Sequence, residues 1–244
     1  MMIKNELLSA KKADFTSKSI KILHISDVHA KKNNENLFIW DEIGKLSFDA
    51  AAITGDFIQD KHTEALPHLP YLRELTKKVP VFYVFGNHEV CERSEMRELF
   101  ESAGITVLED EIAKINISGV FINILGIRDY YLILRHGFGN IFEMLKVLDP
   151  NDFNIVLSHQ PQVFKYAKSY NVDLMLSGHT HGGQVRLPFF PTLFAPGQGF
   201  LPKYGDGWYH ENSSNLYISK GVGTTVFPFR IFNQPEISVL EVRF

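Results

Sequence analysis

The chain has 244 residues, of which 45% are hydrophobic and 22% are charged, so it can bury a substantial core. Its 25 Lys and Arg residues and 28 Asp and Glu residues leave a net charge of −3. A protein that tracks a nucleic-acid backbone normally carries a basic excess, so nucleic acid is a disfavoured partner. We expect a single domain spanning residues 1–244.

The number of cysteines and the N-terminal segment indicate the cellular compartment in which the protein is expected. Cys91 is the only cysteine, which excludes an intrachain disulfide and suits a reducing environment. We expect it to be a small buried side chain rather than a redox group. The longest apolar run within residues 1–19 is Leu7-Leu8, far shorter than a signal-peptide core or a membrane-spanning helix. These features predict a soluble, cytoplasmic protein.

Short apolar runs alternate with segments of helical periodicity along most of the chain. Residues 20–25 are dense in Ile and Leu and end at Ser26-Asp27, which is typical of a strand buried on both faces. Helical spacing follows over residues 37–46, and the alternation predicts β-α-β units. The predicted strands cover residues 20–25, 50–54, 81–85, 105–108, 112–117, 120–126, 154–157, 172–176, 216–219 and 237–242. Further helices are predicted up to about residue 78 and over 94–103, 141–148 and 162–169.

Five of the predicted strands end in polar side chains of metal-binding type. The clusters are Asp27-Val28-His29, Gly55-Asp56, Gly86-Asn87-His88-Glu89, Ser158-His159 and Gly178-His179-Thr180-His181. A single histidine such as His159 is more often structural than a ligand, but five clusters in series change that expectation. Because open α/β sheets bind ligands at the carboxyl ends of their strands, we expect these clusters to meet in one crevice.

The residue types in these clusters indicate a metal site. The candidate ligands are Asp27, His29, Asp56, Asn87, His159, His179 and His181. A catalytic zinc ion takes about three protein ligands, so this set predicts two divalent ions. Carboxylate, amide and imidazole donors without a thiolate favour Mn first, with Fe, Zn and Mg as alternatives.

Taken in order, the clusters resemble the motif series of the calcineurin-like metallophosphoesterases, which reads D-x-H, G-D, G-N-H-[DE], a lone H and G-H-x-H. The resemblance extends from Asp27 to His181. With Gln184, the longer motif G-H-T-H-G-G-Q is similar to a bacterial branch that includes proteins resembling UDP-2,3-diacylglucosamine diphosphatases. The resemblance implies a four-layer αββα sandwich of two mixed β-sheets flanked by helices. The strand rhythm alone predicts a simpler doubly wound sheet.

The resemblance also implies roles for individual residues. Two groups would each hold one metal ion: Asp27, His29 and His181 in the first, and Asn87, His159 and His179 in the second. Asp56 would bridge the ions. His88 would lie beside the substrate and donate to a phosphoryl oxygen or leaving group. Catalysis is therefore assigned to Asp56 and His88, and substrate contact to Asn87 and His88.

We expect hydrolysis of a phosphate ester or pyrophosphate bond by in-line attack of metal-bound hydroxide. The expected substrate is a phosphorylated small molecule, and more specifically a lipid-linked or nucleotide-sugar phosphate, with peripheral membrane contact and no obligate protein partner. Two alternatives stay open. One is a nuclease or phosphodiesterase of the same fold, and the other is a non-catalytic metal-binding scaffold, which loss of ligands would favour.

An apolar loop from Leu187 to Leu201 follows the last ligand and has no regular periodicity. Its apolar members are Phe189, Phe190, Leu193, Phe194, Phe200 and Leu201. One interpretation is a cover packed over the core. The other is a lip beside the phosphate site that receives an acyl chain or a membrane surface.

Overall fold

The computed structural model describes residues 1–10, 18–31, 36–139, 141–186, 192–224 and 229–244. The strands are β1 (Met2–Ser9), β2 (Ser19–Ile25), β3 (Ala50–Thr54), β4 (Val81–Val84), β5 (Thr106–Val107), β6 (Glu111–Ile117), β7 (Val120–Gly126), β8 (Phe153–Leu157), β9 (Leu174–Ser177), β10 (Phe194–Ala195), β11 (Gly199–Phe200), β12 (Gly207–Glu211), β13 (Ser214–Ile218) and β14 (Glu236–Arg243). The helices are α1 (Ile39–Ile43), α2 (Leu69–Thr76), α3 (Arg93–Ser102), α4 (Tyr130–His136), α5 (Ile141–Lys146) and α6 (Phe164–Ala167). Short 3₁₀ turns cover His62–His68, Pro161–Val163 and His181–Gly183.

Two six-stranded mixed sheets form the centre of the fold. The first has the order β1-β14-β2-β3-β4-β5, and all its pairs are parallel except β14 with β2. The second has the order β12-β13-β9-β8-β7-β6, with antiparallel pairs at its two edges. Strands β2 to β5 of the first sheet run in one direction, as do β13, β9, β8 and β7 of the second, so each group ends on one side, where the chain can assemble a site.

The apolar side chains sort into three layers of core. On β2, Ile20 and Ile22 lie in the cluster between the sheets, whereas Leu23 and Ile25 pack with helices α1 to α3. This division follows from the alternation of side chains across a strand. Helices α4 to α6 cover the outer face of the second sheet in the same way, around Val156 and neighbouring residues. The four-layer αββα sandwich is thus confirmed, and the doubly wound sheet is wrong.

The structure adds elements that the sequence patterns did not predict. β1 pairs in parallel with β14, and β12 forms the edge of the second sheet. α4 occupies the aromatic segment that begins at Tyr130, and Asp129 caps it by accepting a hydrogen bond from the Tyr131 N–H. The helix predicted over 162–169 starts as a 3₁₀ turn at Pro161 and is α-helical only over Phe164–Ala167. Cys91 was expected to be buried but is exposed.

No helix in the described ranges is both long and apolar enough to cross a membrane. Within the loop from Leu187 to Leu201, residues 187–191 lie outside the described residues, so the predictions for Phe189 and Phe190 are not addressed. The described remainder forms the β10–β11 hairpin, in which Phe194 pairs with Phe200.

Candidate metal centre

The predicted ligands lie on sharply turned loops that follow β2, β3, β4, β8 and β9. Residues other than glycine rarely adopt a positive backbone φ, yet several of these residues have φ angles between 45° and 70°. They are Asp27, His29, Asp56, His179 and His181. Each such conformation costs about 1–3 kcal/mol, and the surrounding structure must supply the restraint.

Two glycines in the motifs allow the loops to approach one another. A Cβ atom on Gly178 would lie 1.9 Å from Ser26 Oγ and 2.2 Å from Asp27 Oδ2. A Cβ atom on Gly86 would lie 2.2 Å from Asp56 Oδ1. Any side chain at either position would therefore displace a carboxylate of the centre.

A first cluster contains Asp27, His29 and His181, all of them buried. Nε2 of His29 lies 3.2 Å from Nε2 of His181, and that same His181 atom lies 3.3 Å from Asp27 Oδ1. The backbone N–H of His179 donates to both oxygens of Asp27 at 3.0 and 3.1 Å. This backbone contact fixes the direction in which the Asp27 carboxylate points.

A second buried cluster contains Asp56, His159 and His179. Nε2 of His159 lies 3.0 Å from Asp56 Oδ2 and 3.2 Å from Nδ1 of His179. The other ring nitrogen of His159, Nδ1, donates to the carbonyl oxygen of Thr54 at 2.8 Å. This contact turns Nε2 of His159 toward the cluster.

The two clusters meet at Asp56. Its Oδ2 atom lies 3.0 Å from His159 Nε2 and 3.8 Å from His29 Nε2. Its Oδ1 atom accepts from the backbone N–H of His88 at 3.0 Å. One oxygen of the Asp56 carboxylate therefore lies near ligand atoms of both clusters. The other oxygen is held by a backbone N–H group.

Asn87 and His88 lie at the partly exposed side of the centre. Asn87 Oδ1 accepts from Nε2 of Gln160 at 3.4 Å. Nδ1 of His88 donates to the carbonyl oxygen of Gln59 at 2.6 Å, and its ring stands edge-on to that of His29 with centroids 4.7 Å apart. His88 also forms a candidate ligand group with His29 and Asp56, so it lies beside the centre, as a group that contacts the substrate would.

Burial dominates the protonation of the histidines. It lowers the pKa of His29 and of His179 to about 3 and that of His181 well below its ordinary value. Burial also acts to lower the pKa of His159. The adjacent Asp56 carboxylate outweighs this effect and raises that pKa to about 10. Burial raises the pKa of Asp27 to about 6, with the Asp56 charge acting in the same direction. His29, His179 and His181 are therefore neutral imidazoles near pH 7, whereas the Asp56 carboxylate favours the protonated form of His159.

This donor set fits divalent metal ions. Two neutral imidazole nitrogens, from His29 and His181, face each other at 3.2 Å. Around a tetrahedral zinc-type ion with bonds of about 2.0–2.1 Å, ligand atoms are about 3.3 Å apart, so a cation could accept both lone pairs. Imidazole and carboxylate without thiolate is a donor set for Zn, Fe or Mn. Asp27, His29 and His181 could hold one ion, and Asp56, His159 and His179 another.

Several residues around the ligands were not predicted as part of the site. Glu89 is buried, and its carboxylate accepts from the backbone N–H groups of Asp56, Ile58 and Gly86. Burial and the Asp56 charge raise the pKa of Glu89 to about 7. Its place in the G-N-H-E motif was a signal that could have found it.

Arg230 was also missed, and the local sequence carried no signal for it. Its guanidinium donates to the carbonyl oxygens of Lys220, Gly221 and Gly223, and its Nη2 atom lies 3.3 Å from His181 Nδ1. Arg230 thus ties a loop near the C-terminus of the chain to a predicted ligand that lies 49 residues earlier.

Comparisons with protein families and with individual proteins point to the same family. A family model described as calcineurin-like phosphoesterase matches residues 20–183. The metallophosphoesterase YkoQ of Bacillus subtilis is 31% identical over 238 residues, covering 92% of this chain and 84% of that protein. A metallophosphoesterase of Helicobacter pylori is also 31% identical and covers 94% of this chain and 61% of that protein. The phosphopantetheinyl hydrolase PptH of Mycobacterium tuberculosis shares the fold, with a TM-score of 0.51 at 12% identity over 80% of this chain and 87% of that one.

Proposed function

Because the chain belongs to the calcineurin-like phosphoesterase family of metal-dependent phosphoric ester hydrolases, we propose that it cleaves phosphate ester or pyrophosphate bonds at a centre of two divalent ions. The observation that carries this proposal is the position of Asp56 between two clusters of buried ligands. Asp27, His29 and His181 would hold the first ion, Asn87, His159 and His179 would hold the second, and Asp56 would be shared. Mn is the expected metal, with Fe, Zn and Mg as alternatives.

When bound, such ions activate water and neutralise charge on the attacking and leaving oxygens. The chain's own residues orient the reaction. The Gln59 carbonyl accepts from Nδ1 of His88, so Nε2 donates to a phosphoryl oxygen or a leaving group when the ring carries both protons. The His88 backbone N–H also donates to Asp56, so the donor and the shared carboxylate are held in one arrangement. Since both sheets supply ligands, we further propose that residues 1–244 act as a single domain.

The substrate side of the site includes exposed apolar side chains. We name Phe194, Phe200 and Leu201 the apolar rim; they are 52%, 77% and 65% exposed. Phe194 borders a cleft of about 170 Å³ that is also lined by His181 and Gln184. Exposed aromatic rings next to a cleft that His181 lines favour the lip over the cover, because a cover would bury these rings. The proposed substrate is therefore an acylated or lipid-linked phosphate, including nucleotide-sugar pyrophosphates.

The test is a substrate panel with the full-length protein after chelation and re-addition of Mn, Fe, Zn or Mg. Aryl phosphate monoesters, diesters and acylated and deacylated nucleotide-sugar pyrophosphates are compared, and supercoiled DNA tests the nuclease alternative. Metal-dependent release of phosphate or of a nucleotide supports the proposal. Turnover of DNA with none of the small molecules would favour a nuclease instead.

Location remains a prediction. We expect the protein in the cytoplasm, with part of it recovered on membranes at low salt if the apolar rim contacts lipid. Cell fractionation with a salt wash measures both fractions. Recovery of the protein outside the cytoplasm would contradict this expectation.

A further inference from the structure

The side-chain amide of Gln160 lies beside the centre, and both its oxygen and its nitrogen make hydrogen bonds. Gln160 follows His159 directly and is fully buried. Its Oε1 atom accepts from the Tyr130 N–H at 2.8 Å, and its Nε2 atom donates to Asp129 Oδ2 and, at 3.4 Å, to Asn87 Oδ1. A backbone N–H can only donate, so Oε1 must face Tyr130. The NH₂ group must then face Asp129 and Asn87.

Asp129 fixes the other end of this chain of hydrogen bonds. It is fully buried, and its Oδ1 atom accepts from the Tyr131 N–H at 2.9 Å at the start of α4. Its Oδ2 atom accepts from Gln160. A carboxylate has only acceptors, so it permits one orientation of the Gln160 amide. The connection therefore runs from α4 through Asp129 and Gln160 to Asn87.

The consequence falls on Asn87, whose side chain could present either an oxygen or an NH₂ group to a cation. Gln160, which directly follows the candidate ligand His159, offers a donor, so the oxygen of Asn87 must point toward Gln160. The flipped amide would set two NH₂ groups against each other and would turn a donor toward the metal. An amide oxygen has two lone pairs, so it can accept from Gln160 and still bind an ion.

We propose that Asp129 and Gln160 are positioning residues that hold Asn87 with its oxygen toward the second metal ion. The inference rests on the proposed two-metal function and extends it beyond the motif residues. Outer partners of this kind typically change metal affinity by about 10- to 100-fold when removed.

The experiment is a calorimetric titration of metal-stripped, full-length protein with Mn²⁺. In Asp129→Asn the new NH₂ group faces that of Gln160, so the second ion should bind about 10- to 100-fold more weakly and the first ion normally. Asp149→Asn is the matched control, because Asp149 makes the same contact to a backbone N–H two residues on, outside the site. Gln160→Leu, which removes the donor to Asn87 together with the acceptor of the Tyr130 N–H, gives the same test if Asp129→Asn does not fold.

A double-variant cycle separates positioning from a structural role. In an Asn87→Asp background both side-chain oxygens are equivalent, so either orientation presents a ligand. The effect of Asp129→Asn on the second ion should then largely disappear. Equal weakening of both ions, an unchanged second ion, or additive losses in the cycle would overturn the inference. A wild-type protein that binds one ion only would contradict the two-metal function itself, and the first titration reveals this.

Discussion

The ligand loops, the last of which contains His181, and the apolar rim, which begins at Phe194, are built in opposite ways. The ligand loops are buried, adopt left-handed backbone angles and are held by backbone donors, as at Asp27 and Glu89. The apolar rim is a two-residue pairing of strands with side chains that project into solvent. The ligand loops hold the candidate ligands in one arrangement, whereas the exposed side chains of the apolar rim can be substituted with little effect on the fold.

This difference indicates which residues can change the substrate selectivity of the protein. A substitution among the ligands leaves buried charges or lone pairs without a partner, which is costly. A substitution on the exposed rim disturbs little of the fold but changes the surface that meets the substrate. Loss of turnover and loss of selectivity should therefore be separable.

The largest effect is expected from Asp56→Asn. The carboxylate reaches both clusters and offsets the positive charge of both ions, so its loss should weaken both metals and remove activity more completely than loss of any one terminal ligand. Metal content after dialysis and turnover of an aryl phosphate measure this, with His181→Ala as the single-cluster comparison. Two tightly bound ions and near-normal turnover in Asp56→Asn would show that the carboxylate is not shared.

His88→Asn should lower kcat by about 10²- to 10⁴-fold and leave metal content intact, because His88 acts on the reacting phosphoryl group. The effect should shrink with substrates whose leaving groups are already good, such as nitrophenyl esters. Steady-state kinetics with a series of leaving groups, together with metal analysis, gives the answer. Equal damage along the series, or loss of metal, would argue against donation by His88.

The apolar rim predicts a smaller and selective effect. Phe194→Ser with Phe200→Ser should reduce kcat/KM for an acylated substrate by more than about tenfold, since each buried CH₂ contributes about 0.8 kcal/mol. A soluble aryl phosphate should be unaffected. Phe121→Ser is the matched control, because Phe121 is 58% exposed on β7 at a distance from the ligand loops. Equal losses on both substrates, with a lower Tm, would place these rings in the core.

The smallest effect concerns acid stability. His24 is buried beneath the ligand loops, with Nε2 2.8 Å from Thr54 Oγ1, and burial lowers its pKa from 6.5 to about 3. Between these values only the unfolded chain binds the proton, so stability is full above pH 6.5 and falls toward pH 3. His24→Gln should make the decline shallower by up to about 1.4 kcal/mol per pH unit. Urea unfolding at several pH values measures the slope, and parallel curves would contradict the assignment.

The clustering of the candidate ligands could be predicted from sequence because each motif follows the end of a strand. Strand ends such as Thr54 and Ser177 are local features, and parallel pairing brings them to one side. The partners of the ligands could not be predicted in this way. Gln160 lies 31 residues from Asp129 and 73 from Asn87, and only the packing of two sheets brings the three together. Nothing in the aromatic sequence around Asp129 indicates that it would be buried beside a metal centre.

The edge strands β1 and β12 escaped prediction for a related reason. β1 alternates polar and apolar residues only weakly, and its pairing with residues 236–243 determines its conformation. Trp208 on β12 likewise donates to Glu6, about 200 residues earlier in the chain. Such pairings depend on tertiary context, which overrides local propensity.

The position of β14 between β1 and β2 has a consequence for biosynthesis. Ser238 pairs with His24, so the first sheet joins segments that are far apart in the order of synthesis. The backbone N–H groups of Val222 and Gly223 also donate to the carbonyl oxygens of Ser26 and Asp27. A nascent chain still held on the ribosome before residue 223 lacks these contacts, although it already contains every predicted ligand. Metal loading is therefore expected to follow synthesis of residues 222–243, and a chain stalled before them would expose its histidines without a pocket to hold them.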